Sequence, residues 1–212
     1  MAAGELGATN IFGLGTGFNV QNSTVTRNQD VTEVLGASGD VTCLTPFNLV
    51  ATASAEYEVC GSQTLGIDLG AEEGGYIVNS VELSHSAGQA PSVSIQGLAF
   101  PSATVTERTY SISQAVNIAA VAAGLTTPST GIMPTEVSHR WECEVTQSVG
   151  SDGQVAFAAS RTPKYTYTES GLGTLASAPT KTGMTLESWE NSDSNQETDT
   201  YTCTFTQGLT SA

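Results

Sequence analysis

From Asp199 to Gln207 the chain alternates without interruption: Tyr201, Cys203 and Phe205 fall on one side, Thr200, Thr202, Thr204 and Thr206 on the other. A period of two sends successive side chains to opposite faces of a pleated strand. One apolar face and one threonine face describe an antiparallel strand packed on a core on one side and wetted on the other. The same rhythm runs through Thr135–Thr146, where Trp141, Cys143 and Val145 alternate with Arg140, Glu142 and Glu144. A helix of period 3.6 cannot satisfy either segment, so this pattern commits the chain to sheet.

Strand signals continue along most of the chain. Phe18–Arg27 is rich in Val and Thr. Val31–Leu35 and Val41–Thr45 flank the turn sequence Gly36-Ala37-Ser38-Gly39-Asp40 and read as a hairpin. Leu49–Cys60, Tyr76–Leu83, Ser92–Phe100, Gln154–Ala159, Lys164–Thr168 and Met184–Trp189 follow, with Gly61–Gly75 read as an acidic loop and Glu190–Thr198 as a polar tip. One segment breaks the rule. Ile112, Ala115, Val116, Ala119, Ala120 and Ala123 share one face at helical spacing, with Ser111 as N-cap and Gly124 beyond the end, which predicts a helix over 112–123. A Thr/Pro/Gly linker covers 124–134. The expected fold is therefore all-β and mainly antiparallel, a sandwich or barrel with one short flanking helix.

Residues 1–17 precede the strands. Five glycines there interleave with Leu6, Ile11, Phe12 and Leu14. A solvated tail would not carry those apolar side chains, so the segment is expected to be an arm whose Leu6, Ile11, Phe12 and Leu14 contact a neighbouring subunit. The domain reading is an arm at 1–17 and a β-sandwich domain at 18–212. Two weakly similar halves, 18–100 and 133–212, are suggested by Gly39-Asp40-Val41 against Gly153-Gln154-Val155 and by Ala55–Val59 against Lys164–Thr168. An alternative stays open, that any two antiparallel segments look this alike.

Charge narrows the function. Charged residues are 13% of the chain, about half the usual share. They are lopsided, 21 Asp and Glu against 6 Lys and Arg, net −15. A nucleic-acid binder needs a basic footprint, and an anionic membrane surface repels such a chain. The start Met-Ala-Ala-Gly-Glu-Leu-Gly has no basic n-region, which predicts synthesis in a cytosol, or else a mature form whose signal is gone; cytosolic folding implies four reduced cysteines at 43, 60, 143 and 203, with a Cys43–Cys60 bridge as the local alternative.

No chemistry-bearing constellation emerges. Gly13-Leu14-Gly15-Thr16-Gly17 lacks the strand before and helix after that a phosphate loop needs. His139 and Cys143 stand about 13 Å apart on a strand, too far to share one zinc. Glu142 and Glu144 share a face as a general acid/base pair would, but also as a solvated acidic face does. The acidic tip Glu190–Asp199 lacks the pattern of a calcium loop. No enzyme activity, cofactor or metal is expected.

The start Phe18–Val25, the hairpin Val31–Thr45 and the pair Tyr76–Leu83 and Pro91–Gly97 together make the layout resemble the tail tube (major tail) proteins of tailed phages. The resemblance implies a structural virion protein with no catalytic residue. It implies a homo-oligomer of stacked, usually hexameric rings in the phage tail, in contact with other virion proteins, through which DNA passes without specific binding. The second strand set departs from a minimal tube subunit. A capsid decoration or head-fibre protein is the alternative; a secreted carbohydrate-binding module, which would want exposed aromatics besides Trp141 and Trp189, is the third reading.

Overall fold

In a computed structural model of the chain, residues 9–101, 103–106, 108–116, 133–193 and 198–209 are described. They form twelve strands: β1 Phe18–Leu35, β2 Val41–Val59, β3 Gln63–Leu69, β4 Glu72–Glu73, β5 Tyr76–Ser86, β6 Ser92–Ala99, β7 Thr104–Thr106, β8 Tyr110–Val116, β9 Met133–Val149, β10 Val155–Leu172, β11 Thr185–Ser192 and β12 Thr200–Gly208. Eight of them run in the order β1-β2-β6-β5-β9-β10-β12-β11, every neighbour antiparallel. β4 adds to β5, and β7 pairs parallel with β10. A separate two-stranded layer, β3 with β8, lies over the first half of the sheet. The protein is all-β.

The main core lies between these layers. Ala53, Ala55 and Tyr57 of β2, Val81 and Leu83 of β5, and Val93 and Ile95 of β6 meet Leu65, Ile67 and Leu69 of β3 and Ile112 and Val116 of β8. Each strand supplies every second residue, as the pleat demands. A second cluster, Val137, Tyr167, Leu175, Tyr201, Cys203 and Phe205, fills the corresponding place under β10 and β12.

Two expectations are corrected here. Ile112–Val116, expected to open a helix, belongs to strand β8, with Ile112 opposite Ile67 and Gln63 opposite Val116. Tyr110, Ile112 and Val116 are buried, so the apolar period is two; the alanines that extend the helical spacing lie at 119 and beyond, outside the described residues. Gly61–Gly75, read as a loop, contains β3. Its Leu65, Ile67 and Leu69 alternate inward, but Gly66 and Asp68 between them mask the pattern in sequence.

The two halves of the sheet are built alike. Each consists of a long hairpin (β1–β2; β9–β10) followed by a short one (β5–β6; β11–β12), and in each the fourth strand docks against the second. The irregularities also coincide. One constant shift in numbering carries the register breaks of β1·β2, at Val20/Asn22, Asn28/Asp30 and Val34/Leu35, onto those of β9·β10, at Pro134/Glu136, Glu142/Glu144 and Ser148/Val149. A second shift carries the break at Val78/Ser80 in β5 onto that at Leu186/Ser188 in β11. Asn48 and Thr162, the non-glycine residues with positive φ (53° and 48°), occupy the same place in the middle bulge. The turns match as well: Gly36 N–H donates to the Asp40 carbonyl as Gly150 N–H does to that of Gln154, both at 2.8 Å. The structural alignment equates Lys164–Thr168 with Val50–Ser54, five residues before the segment that sequence likeness suggested.

His139 lies inside this framework. Its ring lies nearly parallel to those of Trp141 and Tyr165, centroids 5.7 and 6.0 Å away, while those two stack on each other at 5.1 Å; its Nδ1 is 2.7 Å from the Tyr165 hydroxyl. Burial, with the Lys181 charge adding to it, pushes the imidazole down to about 4. An unfolded histidine titrates near 6.5, so between those values the unfolded chain holds the extra proton. Stability from this residue is therefore full above about pH 6.5 and falls as the pH drops towards 4, by about 3 kcal/mol. Denaturant unfolding at pH 7 and pH 4 should show the wild type losing about that much more than His139→Phe, which keeps the stack. Equal losses in the two proteins would refute the assignment.

Candidate assembly surface

The apolar residues before β1 were expected to meet a neighbouring subunit. The structure places three of them on their own chain. Phe12 is 2% exposed and joins the main core, with Ile11 and Leu14 packed against it; Leu6 lies outside the described residues. Phe12 N–H donates to the Tyr57 hydroxyl at 3.4 Å, and that hydroxyl donates to Asn10 Oδ1 at 3.0 Å. The ring meets Tyr76 edge to face, centroids 6.3 Å apart. It slots over Gly97, where a Cβ would stand 3.0 Å from Phe12 Cε1. The correction is that Phe12 closes the open end of its own sandwich, and no neighbour is needed to bury it.

The residues weighed for chemistry are dispersed. Glu142 pairs with Arg140 at 3.1 Å, both half exposed. Glu144 accepts a long 3.5 Å contact from Thr162. Both line an open polar depression of about 360 Å³ together with Asn79, Arg140, Thr162 and Lys164. His139 and Cys143 point inward from alternate positions of β9; burial pushes the Cys143 thiol up to about 11, away from the thiolate that ligation or attack requires. Among the described residues no group of three or more His, Cys, Asp or Glu side chains is placed to hold a metal ion. Glu169, on β10, accepts hydrogen bonds from the hydroxyls of Tyr167 and Tyr201, which makes it a structural acceptor.

Cys43, considered as the disulfide partner of Cys60, lies near the start of β2, and Cys60 directly follows its last residue, Val59, about 55 Å further along the chain at about 3.3 Å per residue. No disulfide bridges them. Cys143 and Cys203 are buried on separate strands.

What the chain leaves uncovered is the far end of its first hairpin. β2 is paired with β6 only over Ala51–Glu58. Beyond the contacts of Asn48 with Gly153, 2.8 Å between N–H and carbonyl, and of Gln154 Nε2, which donates to the Pro46 carbonyl at 3.3 Å, the strand pairing of β1 and the start of β2 among the described residues is with each other. Val31, Leu35, Val41 and Leu44 lie on one face there, through the pairs Val31–Pro46, Glu33–Leu44 and Leu35–Val41. All four are exposed, Leu44 to 59%. The second hairpin carries most of the same face covered: Val145, Val155 and Ala158, at the positions equivalent to Val31, Val41 and Leu44, cluster with Ile77, Leu98 and Phe100 of the first half, while Val149, the equivalent of Leu35, stays exposed. Sequence reading recognised this hairpin as strand, but no signal in it tells that nothing packs upon it.

The outer edges of the sheet are also open. Among the described residues β1 pairs only with β2, and β11 only with β12. Natural sheets blunt such edges with lysine, proline or very short strands. β1 is 18 residues long and carries neither Lys nor Pro. On β11, Trp189 is 40% exposed.

No protein-family model and no curated protein matches the chain. The geometry therefore carries the functional reading.

Phe12→Ala separates an intrachain plug from an assembly contact. Emptying this site should cost the isolated subunit about 3–5 kcal/mol in denaturant unfolding, as large-to-small core changes do. A subunit of unchanged stability would return Phe12 to the role of an inter-subunit residue.

Proposed function

We propose that this chain is a non-catalytic structural protein that assembles with copies of itself, and that the assembly is the tail tube of a tailed phage. The observation that carries the reading is the bare hairpin end. A two-stranded ribbon without a third partner is marginal in water, and this one extends about 20 Å past its last support, at about 3.4 Å per residue. Its apolar residues destabilise a solitary subunit's surface but contribute about 1.5–3 kcal/mol each when fully buried against a partner. A surface of this kind marks an interaction site.

The charge balance supports the tube in particular. Arg140–Glu142 and Lys164–Glu187 are the ion pairs among the described residues, which leaves most of the 21 acids without a basic partner. Carboxylates facing a channel repel phosphates within about 8 Å at physiological salt. DNA then slides without the counterion release that would make it stick.

Negative-stain micrographs of the purified protein test the reading. Tubes or stacked rings are expected. The double variant Val31→Ser/Leu44→Ser should remain folded by circular dichroism and lose assembly at wild-type concentration. A wild type that stays monomeric, or that forms only small closed oligomers with no tubes, would overturn the tube in favour of a capsid decoration protein.

A further inference from the structure

The seam between the two halves of the chain is a finished example of how one unit joins the next. β5, the last strand of the first unit, pairs antiparallel with β9, the first strand of the second. Seven pairs make it, from Ser80 opposite Glu142 to Ser86 opposite Glu136. The first unit begins with a strand of the same build, β1, and the second ends with one of the same build, β11. Among the described residues neither has a partner on its outer edge. We infer that β11 of one copy pairs antiparallel with β1 of the next, in the register of the internal seam, so that copies join head to tail as the two halves already do. This names the partner and contact for the self-assembly proposed above and rests on that part of the reading, not on the tail.

The register follows from the matched bulges. The shift that superimposes β5 on β11 carries Ser80, Val81, Glu82 and Leu83 onto Ser188, Trp189, Glu190 and Asn191. The shift that superimposes β9 on β1 carries Glu142, Trp141, Arg140 and His139 onto Asn28, Arg27, Thr26 and Val25. Where Val81 faces Trp141 inside the chain, Trp189 of one copy faces Arg27 of the next. Trp189 is the exposed tryptophan, and Arg27 has no ion-pair partner among the described residues. A guanidinium laid on an indole is a favourable pairing that neither side chain finds among the described residues of its own chain. Asn191 faces Val25, another exposed apolar residue.

The bare hairpin gives a second, independent reason. Within the chain the seam brings the β9–β10 end onto the first unit, and with β7 paired along Phe157–Ala159 this buries Ala158 completely and Val155 to 2% exposure. Their equivalents Leu44 and Val41 are 59% and 48% exposed. That is the state of a hairpin whose preceding unit is missing. A second copy joined through β11 and β1 supplies that unit. It offers Thr185 and Thr206 where the internal surface has Ile77 and Leu98, a weaker apolar floor, so the paired edges set the register. Such a contact is heterologous, and it closes into a ring or continues as a filament; in a ring the open edges disappear.

Disulfide trapping tests the register. Thr26 and Glu190 are both exposed and directly opposed in it. In a full-length Cys43→Ser/Cys60→Ser background, Thr26→Cys chains are mixed with Glu190→Cys chains and oxidised under assembling conditions. The expected product is a mixed disulfide dimer, with roughly tenfold less from Thr26→Cys with Ser192→Cys, because sulfurs on Cα atoms more than about 7 Å apart do not bridge without backbone movement. A chain carrying both Thr26→Cys and Glu190→Cys should give covalent multimers. Wild-type assemblies that yield no mixed dimer, or that link Thr26→Cys to itself, overturn the seam and leave self-assembly standing. A wild type that does not assemble at any concentration overturns both. Mixed dimers without tubes in micrographs support the seam and remove the tail reading.

Discussion

An extended strand satisfies its backbone only through its neighbours, and every feature of this molecule follows from where that pairing is completed and where it stops. Along β1-β2-β6-β5-β9-β10-β12-β11 each inner strand has partners on both sides. The seam β5·β9 turns two four-stranded units into one continuous sheet. Among the described residues pairing ends at β1 and β11, and neither strand carries lysine or proline. The hydrogen-bonding row left open on each edge is as definite a surface as a pocket would be.

Packing then distinguishes the two units. The first has a full second layer, β3 with β8, and an aromatic plug, Phe12, that closes it. The second has larger side chains of its own: Tyr167 stands where the first unit has Ala53, and Tyr201 where it has Val93. One unit fills its interior with an added layer and the other with bulk. Both solutions keep the bulges in place, which indicates that the sheet geometry is the constrained quantity and the filling is adaptable.

Much of this was legible in the sequence. The alternation at Thr200–Gln207 and Thr135–Thr146 identified strands and their wet faces, and Gly36–Asp40 identified a hairpin turn. The likeness of Gly39-Asp40-Val41 to Gly153-Gln154-Val155 falls on positions the structure makes equivalent. The errors have definite causes. The alanines after Val116 outvoted a strand whose inward residues are Tyr110, Ile112 and Val116. Val41–Thr45 and Leu49–Cys60, expected as two strands, are one strand, β2, and Gln154–Ala159 and Lys164–Thr168 are one strand, β10, because the gaps between them fall at bulges, where a strand continues through irregular residues such as Asn48 and Thr162. Phe12 was assigned to a neighbour because a short apolar segment in a glycine-rich stretch does not reveal which surface receives it.

Strand identity, face polarity, turn chemistry and the shortage of basic charge were set by the sequence itself, because each depends on residues close together in the chain. Which strands become neighbours, which edges stay open, and which of two equivalent hairpins is covered were decided only by the tertiary structure. Those outcomes depend on contacts between residues far apart in sequence, such as Phe12 with Tyr57 and Val81 with Trp141. Leu44 and Ala158 show the division most plainly. Both are apolar residues on a hairpin strand after a glycine turn, and only the presence of a preceding unit beneath Ala158 makes one of them buried and the other bare.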